Sequence, residues 1–153
     1  MRKIRAAAVQ FEHISGDKEA NLAKIEGFVR RAATQGVQLI TFPECCITGY
    51  WFLRNLSREE LKALAEPVPG GPSSQVLMNL ARQHQMTIGA GLVEICEETM
   101  HNTYVVAMPN GEFQRHRKIH TFVNEHLSSG SEYTVFDTPQ GCRVAVPCRD
   151  LEG

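Results

Sequence analysis

The sequence predicts an α/β fold built on an open sheet, and three observations carry that expectation. A strand, a helix and a second strand follow one another within the first 42 residues, a βαβ unit whose crossover should be right-handed. The second of those strands, Val37-Gln38-Leu39-Ile40-Thr41-Phe42, is a near-continuous apolar run of the kind buried on both faces of a helix-covered sheet. Finally, 153 residues with 42% hydrophobic and 22% charged side chains give an ordinary globular balance and chain enough for one core. A single domain over residues 1–153 is expected.

The first strand is read over Ile4 to Phe11, and Ser15-Gly16-Asp17 as the turn and helix cap after it. From Asp17 to about Gln35, Leu22, Ile25, Val29 and Ala33 recur at helical spacing with Lys, Glu and Arg opposite, an amphipathic helix that Gly36 ends. Ser57-Arg58-Glu59-Glu60 is a capping box for a short helix through Ala65. Pro67-Val68-Pro69-Gly70-Gly71-Pro72 is an internal loop, since apolar patterning resumes directly after it. Ser73 or Ser74 is expected to cap the next amphipathic helix, with Val76, Leu77, Leu80 and Ala81 inward. Thr87 to Val93 reads as a third buried strand whose glycines suit close backbone approach. Asn102 to Met108, the turn Pro109-Asn110-Gly111 and a return over Glu112 to Arg117 form an antiparallel pair. Tyr133 to Thr138 and Arg143 to Val146 form a closing hairpin.

Chemistry is expected where the second strand stops. Pro43 cannot donate to a ladder, so Glu44 sits at the carboxyl end of a central strand, where open α/β sheets place their ligand sites. The competing reading is a solvated glutamate that merely ends a strand. Tyr50, Trp51 and Phe52 follow in the loop and line either a pocket or a core.

Bulk properties exclude several function classes. Sixteen basic against seventeen acidic side chains give a net charge of −1, so nucleic acid and anionic membranes are not expected partners. Met1-Arg2-Lys3-Ile4-Arg5 leads into an apolar segment too short for a signal peptide or membrane span, so a soluble, cytoplasmic protein is expected. Five cysteines without a Cys-x-x-Cys pair argue against a zinc cage or disulfide framework, and adjacent Cys45 and Cys46 read as small buried hydrophobes on opposite sides of the chain. His101, His116, His120 and His126 are too scattered for a metal site and are read as surface or supporting groups. Neither a metal nor a cofactor is expected. Gly89-Ala90-Gly91 and Gly70-Gly71 do not complete a phosphate-cradling fingerprint, which weakens a nucleotide-binding reading.

Three further residues carry chemical potential. Lys118 ends the basic run Arg115-His116-Arg117-Lys118, which by itself suits a solvated face. Glu125 follows seven positions on and Gly130 five beyond that. A lysine held between two carboxylates keeps its proton and so stabilises an oxyanion, whereas Glu125 alone could be an exposed loop residue. Cys148 follows the apolar strand Val144-Ala145-Val146 and precedes Arg149-Asp150; a thiol near a lysine and a glutamate can be activated as a nucleophile.

In their order and spacing, Ala8-Val9-Gln10, Phe42-Pro43-Glu44, Thr48-Gly49-Tyr50, Asn102-Thr103, Pro109-Asn110-Gly111, Arg117-Lys118-Ile119-His120 and Gly130 resemble the nitrilase superfamily of carbon-nitrogen hydrolases. The resemblance implies an αββα sandwich of the nitrilase type and a Glu-Lys-Cys triad that cleaves a small amide, carbamoyl or nitrile substrate in a homo-oligomer, without a cofactor. Carried over by position, Glu44 is the general base, Lys118 the oxyanion stabiliser, Glu125 the carboxylate that orients lysine or substrate, and Cys148 the nucleophile. Tyr50, Trp51 and Asn102 are the implied substrate-binding residues.

The chain departs from the family pattern at its end. The family has a glycine, three apolar residues, then Cys, an aromatic residue and Asp, where this chain has Ala145-Val146-Pro147-Cys148-Arg149-Asp150. An ungapped alignment from Gly141 puts the family cysteine at Arg149, so Cys148 arrives one residue early, and such a slip in a strand reverses the face a side chain takes. The chain is accordingly read as the amino-terminal portion of such a fold, truncated after the nucleophile strand. The alternative function is an inactive half-domain that acts as an interaction or oligomerisation module through its uncovered sheet edge.

Overall fold

The computed structural model describes residues 3–146, so Cys148 and its neighbours Pro147, Arg149 and Asp150 lie outside the described residues. Strands β1 (Ala6–Ala8), β2 (Leu39–Thr41), β3 (Thr87–Cys96), β4 (Thr99–Ala107) and β5 (Phe113–Arg117) form one sheet in chain order. β1, β2 and β3 are parallel, and β4 and β5 turn back antiparallel. The sheet is therefore mixed. β3 and β4 form a hairpin whose turn holds Glu97 at φ 56, a connection with no Gly or Pro to announce it.

Helix α1 (Lys18–Thr34) begins where expected: the Asp17 side chain accepts the Ala20 N–H at 2.9 Å, a cap of about 1 kcal/mol. Helix α2 (Arg58–Leu64) carries the full reciprocal capping box between Ser57 and Glu60. Helix α3 (Pro72–His84) corrects the expected cap. Its N-cap is Gly71 with Pro72 at the first helical position, because proline's fixed φ suits that position. Ser73 is already helical. Its N–H and hydroxyl both donate to Glu66, at 2.8 and 3.0 Å, so a carboxylate from outside the helix does the capping.

The pleat divides the sheet into two faces. Ile40, Ile88, Ala90, Leu92, Val105 and Ala107 meet Ile25, Val29 and Ala32 of α1 and Leu77, Leu80 and Ala81 of α3 in the main core. Opposite lies a ribbon, β6 (Thr134–Asp137) paired antiparallel with β7 (Arg143–Val146). It packs Phe136, Val144 and Val146 on Tyr104, Val106 and Met108. The described residues thus supply one helix layer, a five-stranded sheet and two strands of an opposing sheet. β1 is shorter than its sequence suggested, and Ala6 and Ala8 on the ribbon-side face are exposed.

Cys45 and Cys46 are both fully buried, Cys45 in the cluster with Leu53, Leu61 and Met100 and Cys46 in the main core. They do take opposite sides, but of a turn (Cys45 φ 48) and not of an extended chain. Among the described residues, no helix is long and apolar enough to cross a membrane.

Candidate active site

Glu44 is placed by three contacts made by its neighbours. The Tyr104 hydroxyl donates to the Phe42 carbonyl at 2.8 Å and pins the end of β2. Phe42 N–H donates to Gly89 O at 2.8 Å, and Ile47 N–H to Gly91 O at 3.0 Å, so the turn between them folds onto β3. Gly91 makes that possible, since a Cβ there would stand 2.3 Å from the Cys45 nitrogen. The strand end and the glycine together aim one carboxylate over the sheet edge.

Lys118 is placed from the other side. Its N–H donates to Asn102 O and its carbonyl accepts from Gly130 N–H, both at 2.8 Å. A Cβ on Gly130 would stand 2.2 Å from Arg117 O, which explains a glycine where the loop closes on the strand. The basic run alternates faces as a strand must. Arg115 and Arg117 turn to the buried Glu94, with Arg117 Nε and Nη2 at 2.9 and 2.7 Å, whereas His116 and Lys118 turn toward the ribbon.

Glu44 and Lys118 meet at the wall of the cavity between sheet and ribbon. Lys118 Nζ stands 3.1 Å from Glu44 Oε1, with the lysine side chain 10% exposed and the glutamate 43%. Asn102 Nδ2 donates to the same oxygen at 2.5 Å, and Cys45 Sγ lies 3.2 Å from Asn102 Oδ1. The cavity has a volume of about 360 Å³ and is walled by Thr41, Gly89, Tyr104, Val106 and, from β7, Val144 to Val146, with Glu44, Asn102, His116 and Lys118 among its polar groups. The strand that leads to Cys148 therefore forms one wall of the space that holds Glu44 and Lys118.

Electrostatics separate the thiols and phenols from the ion pair. Burial, then the Glu44 charge, pushes the Cys45 thiol well up, so it stays protonated. Burial, again helped by Glu44, raises the Tyr50 phenol, which lies within electrostatic reach of both Glu44 and Lys118. Burial pushes His101 and His116 down, and both are buried, which leaves the supporting one of the two readings given for them and removes the surface one; only long-range packing reveals this. His116 Nδ1 meets the Thr134 hydroxyl at 3.1 Å, joining β5 to the ribbon at the cavity wall.

Glu44, Lys118, Asn102 and Tyr50 are thus brought together. Trp51 is exposed, with the Arg54 guanidinium 4.7 Å above its ring and Tyr50 edge-on at 5.1 Å. Glu125 is exposed on a loop anchored by Asn124, whose amide donates to Leu53 O and Leu56 O at 2.7 and 2.9 Å. The Phe122 ring of that loop lies 5.2 Å from Lys118 Nζ. Cys45 is the site residue that sequence reasoning missed, since a thiol beside a strand end carries no local sign of its partner 57 positions away. Among the described residues no group of three or more His, Cys, Asp or Glu could hold a metal ion.

Comparison with known proteins gives this arrangement a family. The chain is 34% identical over 122 residues to a nitrilase of Pyrococcus abyssi, covering 80% of this chain and 45% of that protein. It is 32% identical over 165 residues to Omega-amidase NIT2 of Bos taurus, covering 99% of this chain and 56% of that protein. In fold it is similar to XC1258 of Xanthomonas campestris, a CN-hydrolase superfamily protein, with a TM-score of 0.80 at 24% identity over 95% of this chain and 52% of the other. The chain spans about half the length of the curated relatives it matches. The fold is therefore the α/β fold of the nitrilase superfamily, and because the family model described as carbon-nitrogen hydrolase matches residues 5–152, the chain belongs to the carbon-nitrogen hydrolase family.

Proposed function

We propose that this chain hydrolyses a non-peptide carbon–nitrogen bond in a small amide, carbamoyl or nitrile substrate, with Glu44, Lys118 and Cys148 as base, oxyanion stabiliser and nucleophile. The observation that carries the reading is the 3.1 Å pairing of Lys118 Nζ with Glu44 Oε1 at the wall of a cavity that β7 also lines. The Omega-amidase relative favours amides among the three substrate classes.

In the proposed cycle Glu44 takes the Cys148 proton, and the sulfur attacks the amide carbon. The oxyanion that forms is stabilised by the Lys118 ammonium. Glu44 returns the proton to nitrogen as the C–N bond breaks, and ammonia or amine departs from a thioester. Glu44 then deprotonates water, which attacks the thioester; the acid leaves and the thiol regains its proton. Glu125 orients Lys118 or the substrate from the 121–127 loop. The same reading includes a cytoplasmic homo-oligomer.

Mass spectrometry of the chain turning over a small aliphatic amide tests the reading. The expected result is ammonia release with an acyl mass on the Cys148 peptide, both lost in Cys148→Ala. Ammonia release that survives Cys148→Ala, or no release at all, would refute it.

A further inference from the structure

We propose that Asn102 is a positioning residue that fixes the Glu44 carboxylate, and that the Cys45 thiol fixes Asn102 in turn. The inference rests on the reading of Glu44 as the base, and it replaces a substrate contact at Asn102 with a contact inside the protein. Nδ2 donates to Glu44 Oε1 at 2.5 Å, and Oδ1 accepts from Cys45 Sγ at 3.2 Å. An ionised carboxylate only accepts, so the amide must turn its NH₂ to Glu44 and its oxygen to the thiol. That orientation requires Cys45 to remain a donor, and its complete burial keeps it protonated. The buried thiol is a structural donor, not a second nucleophile.

The backbone of Asn102 belongs to the same clamp. Its carbonyl accepts the Lys118 N–H at 2.8 Å, so one residue holds the carboxylate with its side chain and the lysine with its main chain. Asn102 and Lys118 both donate to Oε1 of Glu44. Among the described residues, the other charged or titratable groups that bear on Glu44 are Lys118 from the end of β5, Cys45 and Tyr50 from the turn, and His116 across the cavity.

Two readouts test the inference. The first is the side-chain NH₂ resonance of Asn102 in the chain itself, which needs no turnover and so stays informative if the hydrolase reading fails. It is expected to move in Glu44→Ala and in Cys45→Ala, and to return toward its original position in Cys45→Ser, which restores a donor. An amide resonance unmoved by Glu44→Ala would overturn the proposal. The second is hydrolysis. Asn102→Ala should lower kcat on the order of 10- to 100-fold with KM within about twofold, the pattern of an interaction that serves the transition state. Asn102→Asp should move the acid limb of the kcat/KM profile up by about one pH unit, because a second carboxylate opposes ionisation of the first. A raised KM with kcat and pH profile unchanged would make Asn102 a substrate contact and also overturn it.

Discussion

Replacing Lys118 by alanine is expected to slow amide hydrolysis by about 10²–10³-fold, the usual loss when one oxyanion donor is removed, or roughly 2.7–4 kcal/mol of transition-state stabilisation. The size follows from where the ammonium sits. Its side chain is 10% exposed, so water cannot take over its role, and the cavity wall around it is largely apolar. The loss should fall on kcat more than on KM, because the charge it opposes exists only in the intermediate. Lys118→Arg should not rescue the rate, because a planar guanidinium cannot place a compact charge in the same position. Near-normal turnover of Lys118→Ala would contradict the role assigned to this residue.

Arg117→Met, one position earlier, is expected to cost about 3 kcal/mol of folding stability and to act through the other face of the sheet. Glu94 is 1% exposed and accepts from Arg117 Nε and Nη2, from Arg115 Nη1 at 2.9 Å and from the Thr103 hydroxyl at 2.6 Å. Removing one partner of a buried pair typically costs about 3–5 kcal/mol. The lower end applies because Arg115 remains, although it is 43% exposed.

The pH dependence gives this prediction a second edge. Burial alone would raise the Glu94 carboxyl, but the hydrogen bonds from Arg117 and Thr103 and the two guanidinium charges hold it below its ordinary 4.5. A carboxyl lowered on folding contributes stability that is complete above its unfolded value and is lost as pH falls through the folded one. The deficit of Arg117→Met should therefore be full at neutral pH and shrink below about pH 4.5. Urea unfolding midpoints at pH 7 and pH 4 measure both. A deficit under about 1 kcal/mol, or one that grows on acidification, would contradict the network.

What was legible in the sequence was local. The Asp17 cap, the Ser57 capping box, the apolar stretch ending at Pro43-Glu44 and the Pro109-Asn110-Gly111 turn each depend on residues a few positions apart, and each forms where expected. The cap of α3 misled because two serines resemble a cap, whereas the carboxylate that caps the helix is at Glu66, beyond the Pro/Gly loop. The burial of His101 and His116 and the Glu94 network are products of strand pairing, which a linear reading of a basic run cannot supply. For the site, the proximity of Glu44 and Lys118 followed from the family resemblance, while the Asn102–Cys45 contact needed coordinates.

Convergence of sulfur, carboxylate and ammonium on one cavity is the central claim, and the distance from Cys148 Sγ to Lys118 and Glu44 tests it most directly. A crystal structure of the chain that includes residues 147–153 is expected to show the sulfur in the cavity walled by β7, within hydrogen-bond reach of Glu44 directly or through one water. A sulfur on the opposite face of its strand, sharing no cavity with Glu44 and Lys118, would contradict catalysis by this chain while leaving its family membership intact.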